Sequence, residues 1–171
     1  MARRLGLIFV LVILLTARAE SEPATVSILF ENDIFFDTDR DYTNGVQFAY
    51  TTEPDKTPEA ALHWARLFPL FAPTGEVRTS YALGQNIYTP QHTDLFDPPP
   101  TERPYAGFLY TSIGFIEKND TRLDQLQLQL GVVGPASLAE DAQKWVHSIL
   151  HNHKPKGWHT QLRDEPGLVL T

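Results

Sequence analysis

The 171-residue chain has no cysteine. Disulfides, cysteine zinc sites and thiol catalysis are therefore excluded. Positive charge is scarce, with 14 Lys and Arg against 21 Asp and Glu, a net charge of −7. No basic stripe exists to neutralise phosphates, which argues against a nucleic-acid partner. Also missing are a G-x-S-x-G elbow, a phosphate-binding P-loop and a G-x-G-x-x-G fingerprint. An activated water is then a better attacking group than an acyl-enzyme serine. After the first 15 residues no run is apolar enough for a spanning helix. Wholesale disorder is excluded by 42% hydrophobic and only 20% charged residues. The length suits one domain.

Residues 1–19 have the form of a secretory signal peptide. Arg3 and Arg4 precede an apolar run from Leu5 to Leu15, and Ala17-Arg18-Ala19 offers a cleavage site. A retained anchor is the alternative, but the run is shorter than the ~20 residues a span needs. Cleavage near Ala19 removes three of the 14 basic residues and no acid, leaving 11 against 21, a net −10. Secretion without cysteine points to a bacterial periplasm or outer membrane.

The remainder, 20–171, reads mostly as strands. Residues 26–30, 45–52, 79–87, 107–117 and 123–133 are rich in aromatic, β-branched or alternating residues. In the last of these, Leu126, Leu128 and Leu130 alternate with Gln125, Gln127 and Gln129. An apolar core face in a soluble sandwich and a lipid face in a membrane barrel both fit that pattern. Secretion, absent cysteine and aromatic punctuation favour the barrel. Residues 167–171 resemble a strand that is just beginning. Pro-marked loops cover 53–58 and 90–104. A short helix is predicted over 59–67 and a longer one over 137–150, with Ser137 as N-cap and Glu140 completing a capping box.

Several clusters could carry chemistry. Glu31-Asn32-Asp33 emerges from an apolar strand, where polar groups need a partner. Asp37, Asp39 and Asp41 imitate an EF-hand, but Tyr42 and Phe48 occupy its Gly and Glu positions, which excludes that motif. Asn44-Gly45 is a turn signal. Arg103, held between Glu102 and Pro104, suits bidentate binding of phosphate or carboxylate. On the longer helix Glu140, Gln143 and His147 share one face, as a general base with an orienting neighbour requires. His147, His151 and His153 form a weak zinc pattern without the Glu of H-E-x-x-H.

Seven ordered blocks resemble one family. They are Glu31-Asn32-Asp33, the stretch from Thr38 to Gly45, Gly84-Gln85-Asn86-Ile87-Tyr88-Thr89-Pro90, Arg103-Pro104-Tyr105-Ala106-Gly107, Leu130-Gly131-Val132-Val133-Gly134-Pro135, Gln143 through His147, and Gly157-Trp158-His159-Thr160-Gln161-Leu162. The family is that of the LpxR-like lipid A deacylases of Gram-negative outer membranes. The resemblance covers nearly all of 26–170. It implies an all-β fold, an antiparallel twelve-stranded outer-membrane barrel of which about the first half is present here. It also implies a site between the barrel wall and a loop helix. The implied reaction is calcium-dependent removal of the 3′-linked acyloxyacyl group from lipid A, the lipid of lipopolysaccharide, by a monomer. Carried over residue by residue, the catalytic set is Asn32, Asp33, Thr43, Gln143 and His147. Asp33 and Asn32 would hold calcium, and Arg103 and Tyr105 would meet the substrate. A passive barrel or an inactive fragment is the competing expectation.

Overall fold

A computed structural model describes residues 9–16, 23–32, 44–69, 71, 75–151 and 154–171. They form a seven-stranded antiparallel sheet in sequence order: β1 Phe9–Thr16, β2 Thr25–Asn32, β3 Asn44–Thr51, β4 Glu76–Tyr88, β5 Ala106–Lys118, β6 Leu123–Val133 and β7 Glu165–Leu170. Among the described residues the sheet is open, with β1 and β7 at its edges. β1 lies inside the segment with signal-peptide character and pairs with β2 from Phe9↔Asn32 to Thr16↔Thr25. An apolar run of that length fits a leader and an edge strand alike.

Strand registry explains the alternation. Tyr50, Tyr81, Ile113 and Leu128 are successive cross-strand partners, as are Phe48, Leu83, Thr111, Leu130 and Leu168. Partners share a face, so these residues build one apolar surface. Most of them are exposed: Phe48, Tyr50, Tyr81, Leu83, Ile113, Leu130 and Leu168 all lie open. The opposite face mixes amides, hydroxyls and glycines with the stacked Phe108 and Tyr110 rings. There Gln127 donates to Ser112 at 2.8 Å and Gln47 to Tyr110 at 3.2 Å. Apolar residues outward and amides inward is the pattern of a membrane barrel wall. β4 and β5 each have 13 residues and β6 has 11, long enough to cross a bilayer when tilted. No helix of the described residues is long and apolar enough to cross one.

The connections divide by end. One end carries the tight turn 119–122, closed by Asn119 N–H donating to the Arg122 carbonyl at 2.9 Å. It also carries the 52–75 segment with helix α1, Glu59–Arg66. There Ala65, Phe68 and Phe71 pack on Val77 and Phe115. The other end carries the long connections 89–105 and 134–164. The last contains α2, Ala139–Leu150.

Local details differ from the sequence expectation at α2. Ser137 does not cap it. Residues Pro135–Ser137 form a 3-10 turn between Gly134 (φ 101°) and Leu138 (φ 59°), and the Ser137 hydroxyl donates to the Gly134 carbonyl at 2.5 Å. Leu138 is the N-cap and provides no side-chain cap. Glu140 instead pairs with Lys144, one turn on. The terminal stub is a full strand, β7, because Leu168 and Leu170 continue the apolar row of β6.

Candidate active site

The site is built where α2 lies against the sheet. Ala139, Gln143 and His147 recur every four residues, and all three are buried. Ala139 packs with Ile87 of β4, Tyr105 and Trp158. The helix can approach this closely because Gly107 of β5 has no side chain: a Cβ there would stand 2.1 Å from Ser137 Oγ and 2.2 Å from Ala139 Cβ. The turn before α2 is pinned by Gly134 N–H donating to the Gly107 carbonyl at 3.0 Å, and by Gln85 Nε2 donating to the Ser137 carbonyl at 2.7 Å.

Gln143 and His147 are only 3% and 4% exposed. Gln143 Oε1 accepts a 2.8 Å hydrogen bond from Trp158 Nε1, while Gln143 Nε2 is buried with no partner among the described residues. Trp158 opens a 3-10 turn, Trp158–Thr160, and is itself 1% exposed. Its ring lies 4.8 Å from that of Tyr105, centroid to centroid. Backbone bonds tie the two loops together: Leu162 N–H donates to the Tyr105 carbonyl at 2.9 Å, and Lys156 N–H to the Thr93 carbonyl at 3.0 Å.

The outer side of α2 exposes large apolar residues among polar ones such as Asp141 and Ser148. Leu138, Trp145, Ile149 and Leu150 are exposed, with Trp145 at 67%. The helix thus turns its polar pair inward and its large apolar residues outward. It lies on the same sheet face as the exposed apolar rows, since Ile87, Leu83 and Tyr81 alternate along β4 on that face.

Of the sequence candidates, the structure brings Gln143 and Tyr105 together around Trp158, with His147 buried one turn further along α2. Asn32 ends β2 in the cross-strand row Asn32–Asn44–Ile87–Gly107, the row on which α2 begins. Asp33 and Thr43 lie outside the described residues, as does His153. Among the described residues no cluster of three or more His, Asp or Glu side chains could hold a metal. Arg103 stands apart from the helix. Its guanidinium carbon is 5.5 Å from the centre of the Tyr88 ring, a cation–π distance. It lines a cleft of about 360 Å³ with Pro90, Pro98, Glu102, Tyr105 and Thr160. Tyr105 is fully enclosed, and its hydroxyl donates to the Thr93 carbonyl at 3.4 Å. Glu102 anchors this loop: it accepts the His92 backbone N–H at 3.0 Å and meets the His92 ring Nδ1 at 2.5 Å. The hydrogen bond from the His92 side chain holds the Glu102 carboxyl below the ordinary carboxylate range.

Sequence reasoning left two parts of this group without a role. Trp158 sits in a motif-bearing block, but nothing local links it to Gln143, 15 residues earlier. Gly107 also closes a motif block, and its close-approach role appears only once α2 is in place.

The profile of the family described as outer membrane protein LpxR matches residues 5–171. The solved structure of LpxR from Salmonella typhimurium resembles this chain with a TM-score of 0.58 and 21% identity, over 77% of this chain. This chain spans 40% of the length of that one. No curated protein matches significantly. The strand order, the wall-and-helix arrangement and the profile match agree, and the chain belongs to the LpxR family of outer membrane proteins.

Proposed function

We propose that the chain is a lipid A deacylase that hydrolyses the 3′-linked acyloxyacyl ester within the outer membrane. The observation that carries this reading is the inward-facing Gln143 and His147 pair on a helix that exposes Trp145, Ile149 and Leu150 on its outer side. Water-soluble substrates give no reason for that inversion. A lipid does, because both the helix exterior and the sheet face then meet acyl chains. The pair lies at the end with the long connections 89–105 and 134–164. In outer-membrane barrels long loops face the exterior, and that is the leaflet that holds lipopolysaccharide.

In this mechanism His147 takes a proton from water as the oxygen adds to the ester carbonyl carbon. The tetrahedral intermediate collapses with cleavage of the bond to the sugar oxygen. That oxygen receives the proton from His147, and the products are a fatty acid and a free sugar hydroxyl. Donors placed toward the developing oxyanion supply most of the stabilisation such sites provide. Thr43 and Asn32 are assigned there or to the metal shell. The Asp33 carboxylate and Asn32 amide oxygen are hard donors of the kind calcium takes. Bound there, calcium would polarise the ester carbonyl as a Lewis acid and offset the repulsion between an acidic chain and an anionic lipid. Arg103, exposed along its cleft, is assigned to a substrate phosphate.

The test is expression of the chain and of His147→Ala in a Gram-negative host, with host lipid A weighed by mass spectrometry. Loss of one acyloxyacyl unit is expected with the intact histidine only. Unaltered lipid A in cells whose membranes contain the folded chain would refute the deacylase and favour a passive wall.

A further inference from the structure

Trp158 has no part in the chemistry above, yet it is buried against the amide of Gln143, which shares the inward face of α2 with His147. An indole N–H is a donor and cannot accept. The 2.8 Å bond from Trp158 Nε1 therefore fixes which end of the Gln143 amide is oxygen. Were the amide reversed, two N–H donors would face each other in a dry site. With Oε1 committed to the indole, the amide geometry turns Nε2 and its two hydrogens to another side. That nitrogen is buried and has no partner among the described residues. A buried amide donor left without an acceptor costs about 1–3 kcal/mol. Such a group is expected where a ligand completes it. His147 lies one helical turn further along the same buried face, about 6 Å along the axis, so the donor and the base stand as neighbours on one side of α2.

We propose that Trp158 is a positioning residue that locks the Gln143 amide with its N–H groups toward the reacting ester carbonyl, where they stabilise the oxyanion. This inference rests on the deacylase reading. It assigns Gln143 as the donor and Trp158 as the group that orients it. Tyr105 and Gly157 complete the clamp. Tyr105 braces the indole ring, and a Cβ on Gly157 would stand 2.8 Å from the Tyr105 ring.

The test is a double-mutant cycle with Trp158→Phe and Gln143→Ala, scored by acyl loss from host lipid A. Phe keeps an aromatic ring against Tyr105 and removes only the donor and part of the ring. Loss of one oxyanion donor lowers turnover by about 10²–10³-fold, the loss expected for Gln143→Ala. Trp158→Phe, which frees the amide to reverse, should cost about tenfold or more alone and nothing further in the Gln143→Ala background. Losses that multiply would mean that Trp158 serves packing only, and the proposal would fall.

Hydrogen exchange of the indole N–H groups gives a readout independent of turnover. Trp64 and Trp145 are 65% and 67% exposed, so the one slowly exchanging indole is Trp158. Gln143→Leu should release it. An unchanged exchange rate would show that the bond is not made and would overturn the lock. An inactive parent chain would refute the deacylase reading, with the oxyanion role resting on it, while exchange would still decide whether Trp158 holds Gln143.

Discussion

Gly107→Ala is the sharpest probe of whether the α2–wall contact makes the site. The added Cβ would stand 2.1 Å from Ser137 Oγ and 2.2 Å from Ala139 Cβ. Ordinary carbon–carbon contact begins near ~3.5 Å, so the start of α2 must retreat by roughly 1.5 Å. Ser137 cannot simply rotate away without giving up its bond to the Gly134 carbonyl. The stability cost of such overpacking is about 1–3 kcal/mol. The catalytic cost is larger, because a misplacement of about 1 Å lowers rates on the order of 10²-fold. The same strand contains its own control. A Cβ on Gly114 would find its nearest neighbours at 3.4 Å (Leu126 carbonyl) and 3.6 Å (Ser80 Cβ), which is ordinary contact. Gly114→Ala should therefore leave activity intact. It should even stabilise β5 by up to about 1 kcal/mol through lost chain entropy. Lipid A mass spectrometry gives activity and thermal unfolding in detergent gives stability. Equal activity in the two variants, or full activity in Gly107→Ala, would refute a site formed by the approach of the helix to the wall.

Calcium chelation should abolish acyl release, added calcium should restore it, and a zinc-selective chelator should leave it unchanged; mass spectrometry of membranes under each condition decides. Trp145→Asp and Ile149→Asp each place a charge on the outer face of α2. They should lower deacylation in intact bilayers while sparing a short-chain ester in detergent, and parallel losses on both substrates would contradict a lipid-facing helix. Glu102 has a depressed carboxyl in the folded chain, so its hold on the 89–105 loop is present above the ordinary carboxylate range and is lost as pH falls through the lowered value. Protection of the His92 amide, relative to its intrinsic exchange, should fall over that acid range and show no such step in Glu102→Gln.

The strands were legible because their chemistry has period two. Leu126, Leu128 and Leu130 against Gln125, Gln127 and Gln129 define β6, and its observed span is the one read from the sequence. Both helices were legible too, with boundaries shifted by one or two residues. What alternation alone left open was the medium on the apolar side. The lipid contact proposed above accounts for the placement of the helix. Two polar residues of α2 are buried while Trp145 and Ile149 are exposed, on the same side of the sheet as Leu83 and Ile113. The capping box failed for a local reason. Gly134 and Leu138 both take left-handed φ, and the tight turn between them draws Ser137 back to the Gly134 carbonyl before the helix begins.

The pairing of Gln143 with Trp158 was hidden for a different reason. It joins a periodic helix to an aperiodic loop, and no spacing rule connects the two. Only the fold does so, through loops laced together at Tyr105 and Thr93. The helix contributes the buried Gln143 and His147, β5 contributes a glycine that lets it approach, and the loop contributes the indole bonded to the Gln143 amide. A chain could keep every strand of the wall and lose any one of these. Activity should therefore fall much further than stability in the Gly107, Gln143 and Trp158 variants, which alter the helix contact and leave the strand pairing in place.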